Sequence, residues 1–401
     1  PPQARLAEEL LSNPVLDGIT VLDLASVGPA ARASRWLADY GATVVKVGPT
    51  PSHGGVQITP PFYAYGGHRA MKRALFDLKA ATGRAAFLRL AARADVIIES
   101  FRPGAVAKLG IGYDDVRAVN PRIVYCSTSG YGQDGPYAQW AGHDLNYLGL
   151  GGYLDCSARD AHDAPALPGA TIADGAGGGL HAVTAILAAL VRRATTGEGA
   201  YLDVAVVDGV VALMSLFVDE FLATERVPGP RHDLLTGRFA CYDVYRCADG
   251  RFVSVAAIEP RFYANLCQGL GCEQWIDHQN DDAAQDAIRA DFAAAFARRT
   301  RDEWVTELAP ADTCVAPVYS VPELVRDPHL RARHDFVTAT RPTGGGDPFE
   351  QVGYVLAGMD RAPERAPAAR DMTVTDTREL LHAAGCTDAE LESLLTEGVV
   401  A

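Results

Sequence analysis

Two residues in this chain have side chains suited to proton transfer and a setting that can expose them. His143 lies in Ala141-Gly-His-Asp-Leu-Asn-Tyr147, and Asp174, 31 residues further on, lies in Ile172-Ala-Asp-Gly-Ala-Gly-Gly-Gly179. Each stands at a turn that leads into an apolar helix pattern, where a side chain projects beside unpaired backbone N–H groups. An imidazole and a carboxylate so placed can share one substrate. The same residue types also have plain structural uses, since histidine before a helix caps or packs and aspartate before glycine makes turns.

A third acid, Glu259, sits in Ala256-Ala-Ile-Glu-Pro-Arg-Phe-Tyr263, between a buried-strand pattern and a proline suited to the first turn of a helix. This is a helix-entry position as well as a place for a reacting carboxylate. Anion binding has two candidate segments. Glu99-Ser-Phe-Arg-Pro-Gly104 follows a strand pattern, at the edge where open α/β sheets bind ligands, and places Arg102 beside a turn. His68-Arg-Ala-Met-Lys-Arg73 gathers Arg69, Lys72 and Arg73 just before a strand-like run over 74–78, enough positive charge to hold phosphates on an acidic chain.

The elements that must position these groups alternate. Ile19-Thr-Val-Leu-Asp-Leu24 reads as a buried strand, 30–40 as a helix and Thr43-Val-Val-Lys-Val47 as a strand. The pattern continues with a helix over 80–93, a strand over 95–99, a helix from Val106 and a strand over 122–126. An apolar helix over 179–193, a strand over 200–204 and a long apolar helix over 207–224 follow. Such alternation implies a mostly parallel sheet with helices on both faces. The first turn, Ala25-Ser-Val-Gly-Pro-Ala30, lacks a Gly-x-Gly-x-x-Gly fingerprint, and no acid follows the second strand to hold a ribose, so dinucleotide chemistry is disfavoured.

Beyond the Pro/Gly/Arg-rich segment 226–231 the pattern changes. A hairpin over 242–256, turning at Ala248-Asp-Gly250, precedes helices over 261–270, 283–298 and 302–308, which predicts a smaller α+β domain. The expected organisation is a large α/β domain over 1–225, a small domain over 226–330 and a return segment over 331–401. The return contains Pro-rich stretches at 341–348 and 361–368 and a closing helix pair around Gly385; residues 1–15 read as a short helical extension.

Composition narrows the partners. The 401 residues are 48% hydrophobic and 21% charged with a net charge of −14, and no basic block interrupts the acidic balance. That argues against nucleic acid or an anionic membrane as partner. The eight cysteines form no Cys-x-x-Cys pair and no Cys/His pattern, so neither a metal site nor a redox motif is expected. Residues 1–13 carry charges and no apolar core, and no uncharged run is long enough to span a bilayer, so we expect no leader, no membrane segment and a cytoplasmic protein with reduced thiols.

Together these stretches resemble the class III CoA-transferase superfamily, and within it the α-methylacyl-CoA racemase branch. The likeness rests on Leu16-Asp-Gly-Ile-Thr-Val-Leu-Asp-Leu, Asp95-Val-Ile-Ile-Glu-Ser-Phe-Arg-Pro-Gly, Leu109-Gly-Ile-Gly, Ser129-Gly-Tyr-Gly-Gln-Asp-Gly-Pro-Tyr and Asp327-Pro-His. Gly142-His-Asp-Leu-Asn-Tyr147 and Ala257-Ile-Glu-Pro260 point to the racemase branch, because transferases generally lack that histidine. The resemblance implies that His143 and Asp174 are the acid/base pair, with Glu259 oriented against the histidine. It implies that Arg102, Lys72, Arg73 and Lys46 contact coenzyme A, which enters as part of an acyl-CoA substrate, with no further cofactor. In the transferases the aspartate matching Asp174 is instead a nucleophile. An interlocked homodimer is also implied. Departures from the family pattern are Gly48 and Pro49 after the second strand, Met71, and Ala173-Asp-Gly-Ala around the aspartate.

Overall fold

The computed structural model describes residues 14–25, 27–51, 71–340, 348–359, 361, 369–370 and 374–401. The expected N-terminal extension over 1–13, His68 and Arg69 of the cationic run, and most of the Pro-rich stretches at 341–348 and 361–368 lie outside the described residues. Two compact units emerge. The first is drawn from Pro1–Gly151, Pro168–Ser215 and Pro328–Ala401, and the second from Gly152–Leu167 and Leu216–Asp327.

The first unit is built on six parallel strands, β1 (Thr20–Asp23), β2 (Thr43–Gly48), β3 (Lys72–Leu75), β4 (Val96–Glu99), β5 (Val124–Ser129) and β6 (Ala200–Ala205), in the order β3-β2-β1-β4-β5-β6. Alternate side chains leave the sheet on opposite faces, and the burial follows that rule. Leu22, Val45, Ile97 and Tyr125 enter one apolar cluster with Phe87 and Leu381, whereas Val21, Val44, Ile98 and Val124 enter another with Leu37 and Ile186. Both faces are therefore covered, as a parallel sheet requires. The expected α/β class and its mostly parallel sheet are observed.

Helix α1 (Gly28–Asp39) starts with Pro29, whose fixed φ suits a first turn, and buries Ala30, Ala33, Ser34 and Leu37 against the sheet. Helix α2 (Ala81–Ala91) covers the other face. The expected helix from Val106 is split into two short helices, Ala105–Lys108 and Tyr113–Val119, because the intervening Gly110 adopts a φ of 71°. Helix α3 (Asp144–Leu150) follows β5.

The apolar run after Asp174 is longer than its periodicity indicates. Ala173–Leu180 forms a π-helix that passes directly into α4 (His181–Thr196). By length and composition alone the combined run Ala173–Thr196 could cross a membrane; in the first unit it packs against α1, β5, β6 and helix α5 (Val206–Leu213). Its far end is clamped by Arg193, which donates to Asp95 Oδ1 at 2.8 Å and to the Asp95 and Arg122 carbonyls. The predicted long helix over 207–224 breaks at Met214 into α5 and a helix over Ser215–Thr224.

The second unit contains the expected hairpin, β7 (Tyr242–Arg246) and β8 (Phe252–Ala256), extended by a third antiparallel strand, β9 (Val315–Pro317). Strand β9 is too short, at three residues and ending in proline, to register as a period. Helices α6 (Pro260–Leu270), α7 (Gln285–Phe296) and α8 (Arg301–Leu308) bury Tyr263, Leu266, Phe292, Phe296 and Trp304 against this sheet.

The π-helix depends on glycine. A Cβ on Gly178 would come within 2.5 Å of Pro29 Cβ, one on Gly179 within 2.7 Å of Trp36, and one on Gly209 would overlap the Gly177 carbonyl oxygen. Gly209→Ala therefore has no room without separating α5 from the π-helix. We expect it to destabilise the protein by about 1–3 kcal/mol or more, read as a lower thermal midpoint, while Gly229→Ala, where a Cβ meets open space, leaves the midpoint unchanged.

Candidate active site

His143 is the residue preceding α3, in extended backbone (φ −133°, ψ 175°), and its side chain is exposed. Its main chain is held at both ends. The His143 N–H donates to Asn146 Oδ1 at 3.0 Å and its carbonyl accepts from the Asn146 N–H at 2.8 Å. Among the described residues no hydrogen bond engages the imidazole. The preceding turn is closed by Tyr147, whose hydroxyl donates to the Gly142 carbonyl at 2.5 Å and whose ring packs edge-on to Tyr131. A Cβ on Gly142 would lie 2.7 Å from both tyrosines, so the Gly-His-Asp-x-Asn-Tyr motif is a packed unit that points the histidine outward. Burial, reinforced by Tyr131, Asp174 and Asp144, pushes the Tyr147 hydroxyl up to about 12.

Asp174 lies in the first turn of the π-helix and is half-buried. Its N–H donates to Asp144 Oδ1 at 2.8 Å, so the residue beside His143 ties the two segments together across 30 positions of sequence. The Asp174 carboxyl group is raised above the ordinary carboxylate range, first by burial and then by the like charge of Asp144. Arg32 and His143 oppose that rise. Histidine and aspartate thus share one electrostatic environment within the first unit.

Arg32 comes from α1. Its guanidinium donates to Thr171 Oγ1, and its Nη1 lies 3.6 Å from where a Cβ on Gly175 would be. Sequence reasoning passed over both Arg32 and Asp144. The available signal was a lone cation in Pro29-Ala-Ala-Arg-Ala33, in the first turns after β1, where open sheets take ligands.

Glu259 belongs to the second unit and is exposed, preceding α6 with Pro260 at the helix's first position. It makes no capping hydrogen bond with its own side chain. The Gln279 amide donates to the carbonyls of Ile258 (2.6 Å) and Ala257 (3.2 Å), which fixes the segment without engaging the carboxylate.

The candidate anion contacts separate by environment. Arg102 is exposed; its guanidinium donates to the Gln139 carbonyl at 3.0 Å, and no carboxylate pairs with it among the described residues. Beside Gln139 an exposed Trp140 stacks on Tyr137 at 3.9 Å, giving a flat aromatic surface next to a cation. Lys72 is paired with Glu379 at 2.7 Å in an exposed ion pair. Arg73 is half-buried, and burial lowers its guanidinium from the ordinary value. Lys46 is inside the fold. Its ammonium donates to Asp23 Oδ2 and to the Ala25 carbonyl, both at 2.5 Å, and Asp23 is its parallel partner across β1 and β2. With that pair and a Ser34 bond also on Asp23, the lysine holds the carboxyl ends of two strands together.

Glu99, at the end of β4, is buried at 1% exposure. Its carboxylate accepts the Phe101 N–H at 2.7 Å, and Thr128 Oγ1 donates to its carbonyl at 3.0 Å. These bonds shape the turn that carries Arg102.

Comparison with known proteins places this site in a family. The profile of CoA-transferase family III matches residues 16–370. The chain belongs to that family. It is 35% identical over 390 residues to the alpha-methylacyl-CoA racemase of Mus musculus, covering 96% of this chain and 97% of the mouse protein. It is also 32% identical over 402 residues to the succinyl-CoA:glutarate CoA-transferase of Homo sapiens, covering 96% and 90%. Among solved structures, a CAIB/BAIF family protein from Brucella suis superposes with a TM-score of 0.77 at 27% identity, covering 93% of this chain and all of that one. Family III members named for an activity are enzymes, racemases or CoA-transferases, so this chain is read as an enzyme of one of those classes.

The Glu99 carboxyl group supplies a pH test. Burial raises it above its ordinary value, and bonds from Ser127 and the Phe101 N–H only partly offset this. A raised folded value stabilises the protein below the unfolded value and withdraws that contribution as pH rises through the folded one. Glu99→Gln keeps an acceptor for Phe101 without gaining a charge. Its thermal midpoint should match the wild type near pH 4 and exceed it increasingly towards pH 8, in melts taken across that range.

Proposed function

We propose that this enzyme inverts the α-carbon of a 2-methylacyl-CoA thioester by 1,1-proton transfer. The observation that carries the reading is that Asp144, the residue next to His143, accepts the Asp174 N–H at 2.8 Å, which brings the histidine and aspartate segments together in one unit. The 35% identity to a racemase over nearly the whole chain supports it. One of the two removes the α-proton, and the C–H electron pair passes into an enolate of the thioester. The other, protonated, delivers its proton to the opposite face, leaving the first group protonated and the second neutralised or ionised in turn. Two groups are required because one base returning its own proton to the same face restores the starting centre.

The enolate oxygen needs donors already aimed at it. The amides of Asp144 and Leu145, in the first turn of α3, have no backbone acceptor among the described residues and are the donors we assign. Arg102 and the adjoining Trp140–Tyr137 surface take the nucleotide end of coenzyme A in this reading, with Lys72 and Arg73 as further cations. Lys46, committed to Asp23, is given no ligand. The reading extends to a homodimer, supported by the exposure of Leu216, Phe221 and Leu222 on one helix.

One observation favours a second reading, in which CoA passes between carboxylic acids and Asp174 attacks the thioester carbonyl to form a mixed anhydride with release of the CoA thiolate. That observation is the 32% identity to a CoA-transferase over 96% of this chain. Incubation of one enantiomer of a 2-methylacyl-CoA in deuterated water with a free carboxylic acid separates the two by mass spectrometry and chiral analysis. Racemase chemistry gives α-deuterium with loss of stereochemical purity and no new thioester. A new acyl-CoA without α-exchange overturns it. His143→Ala and Asp174→Asn should each lower α-exchange by roughly 10²-fold or more while still melting cooperatively, and Glu259→Gln reads the part of the third acid in the same assay.

A further inference from the structure

Asp174 is flanked by charges of opposite sign held on different elements. Asp144 is tied to it through the Asp174 N–H. Arg32 reaches across from α1, is anchored by Thr171 one turn before the aspartate, and brings its Nη1 to 3.6 Å from where a Cβ on Gly175 would be. The Thr171 carbonyl accepts the Gly175 N–H at 3.0 Å, so anchor and aspartate belong to the same turn. Gly179 admits the Arg32 stem, since a Cβ there would lie 3.2 Å from Arg32 Cβ. No direct hydrogen bond joins the guanidinium to the carboxylate among the described residues. The arginine thus acts on the carboxylate through space rather than by a direct bond.

We propose that Arg32 is the positioning counter-ion of Asp174, holding it as the carboxylate that reacts, against the opposing charge of Asp144. The proposal rests on the preceding assignment of Asp174 as a reacting group, and it applies whether that carboxylate removes a proton or attacks a carbonyl. Burial and Asp144 both favour the neutral acid, and Arg32 is the permanent cation that opposes them. The other ionisable groups near the turn do not supply that charge. His143 gains and loses a proton in the reaction, and the Tyr147 hydroxyl is neutral at working pH. On α1, Arg35 is paired with Asp39 at 3.8 Å. On α5, Asp208 acts on Asp203 at the end of β6. Asp144 acts in the opposite sense to Arg32, so the pair leaves the acid poised between its two states, as a group that must both lose and regain a proton requires.

The test is a carbon-13 NMR titration of carboxyl-labelled aspartate in the full chain, with the Asp174 signal assigned by its loss in Asp174→Asn. Arg32→Ala should raise the Asp174 midpoint by roughly one unit or more, the scale of losing a nearby opposite charge. Arg32→Lys should restore most of the shift, and Asp144→Asn, which keeps an acceptor for the Asp174 N–H, should move the midpoint down. An unchanged or lowered midpoint in Arg32→Ala, with the fold intact by melting, overturns the proposal. The titration needs no turnover, so absence of α-exchange in the wild type would count against the racemase reading alone. Where exchange is found, the acid limb of kcat/KM should move up with Arg32→Ala for the enantiomer whose proton Asp174 removes, and move less for the other. An equal loss for both enantiomers with no movement of either limb also overturns it.

Discussion

A close backbone approach between the π-helix and α5 forms the seat of Asp174. Gly177 and Gly209 bring the π-helix and α5 together with no room for a side chain on Gly209, while Pro29 and Trp36 of α1 fill the space that Cβ atoms on Gly178 and Gly179 would need. A π-helix is rare and occurs frequently at functional positions. Here tight backbone packing on two sides accompanies it. Within this π-helix the Asp174 N–H is held by Asp144 Oδ1 at 2.8 Å. The far end of the same run is clamped by Arg193 to Asp95, whose other oxygen accepts the Thr20 N–H, so the glycine turn is anchored to the middle strands.

The acidic environment follows from this seat. Three carboxyl groups of the first unit, Glu99 at the end of β4, Asp174 in the π-helix and Asp203 on the edge strand β6, are raised mainly by burial. Burying each costs solvation, and each has a compensating interaction. Glu99 receives the Phe101 N–H, Asp203 the Gln133 N–H, and Asp174 the field of Arg32. Asp23 and Lys46 solve the same problem differently, with an internal ion pair that also takes Ser34 and the Ala25 N–H. The last solution commits both charges to each other, whereas Asp174 has no direct ion pair among the described residues.

Periodicity made the six-strand alternation legible, because strands buried on both faces read as continuous apolar runs and the helices between them carry apolar stripes. The hairpin of β7 and β8 was legible through Asp249-Gly250, which supplies the turn. What stayed hidden depends on distance in sequence. Nothing local tells that Arg32 meets Thr171 or that Asp144 meets Asp174, since both contacts join segments more than a hundred or about thirty positions apart. Lys46 shows the converse limit. A lysine at a strand end reads equally as a phosphate contact and as an internal ion pair, and only the register opposite Asp23 distinguishes them. The π-helix was hidden because its glycines contribute no hydrophobic period.

The three candidate acid and base residues share one local design, though Glu259 belongs to a different unit. His143 precedes α3, Asp174 occupies the first turn of the π-helix and Glu259 precedes α6. A residue at a helix entrance has its backbone fixed by the turn below it while its side chain leaves the cylinder, which gives reach without loss of position. In each case a neighbouring group holds the main chain without a hydrogen bond to the candidate side chain among the described residues. Asn146 accepts from the His143 N–H, Asp144 accepts from the Asp174 N–H, and Gln279 donates to the carbonyls just before Glu259. Proton transfer between fixed partners is sensitive to displacements of an ångström. Main-chain anchoring meets that demand and spares the side-chain atoms, which must be free to change protonation state during the reaction.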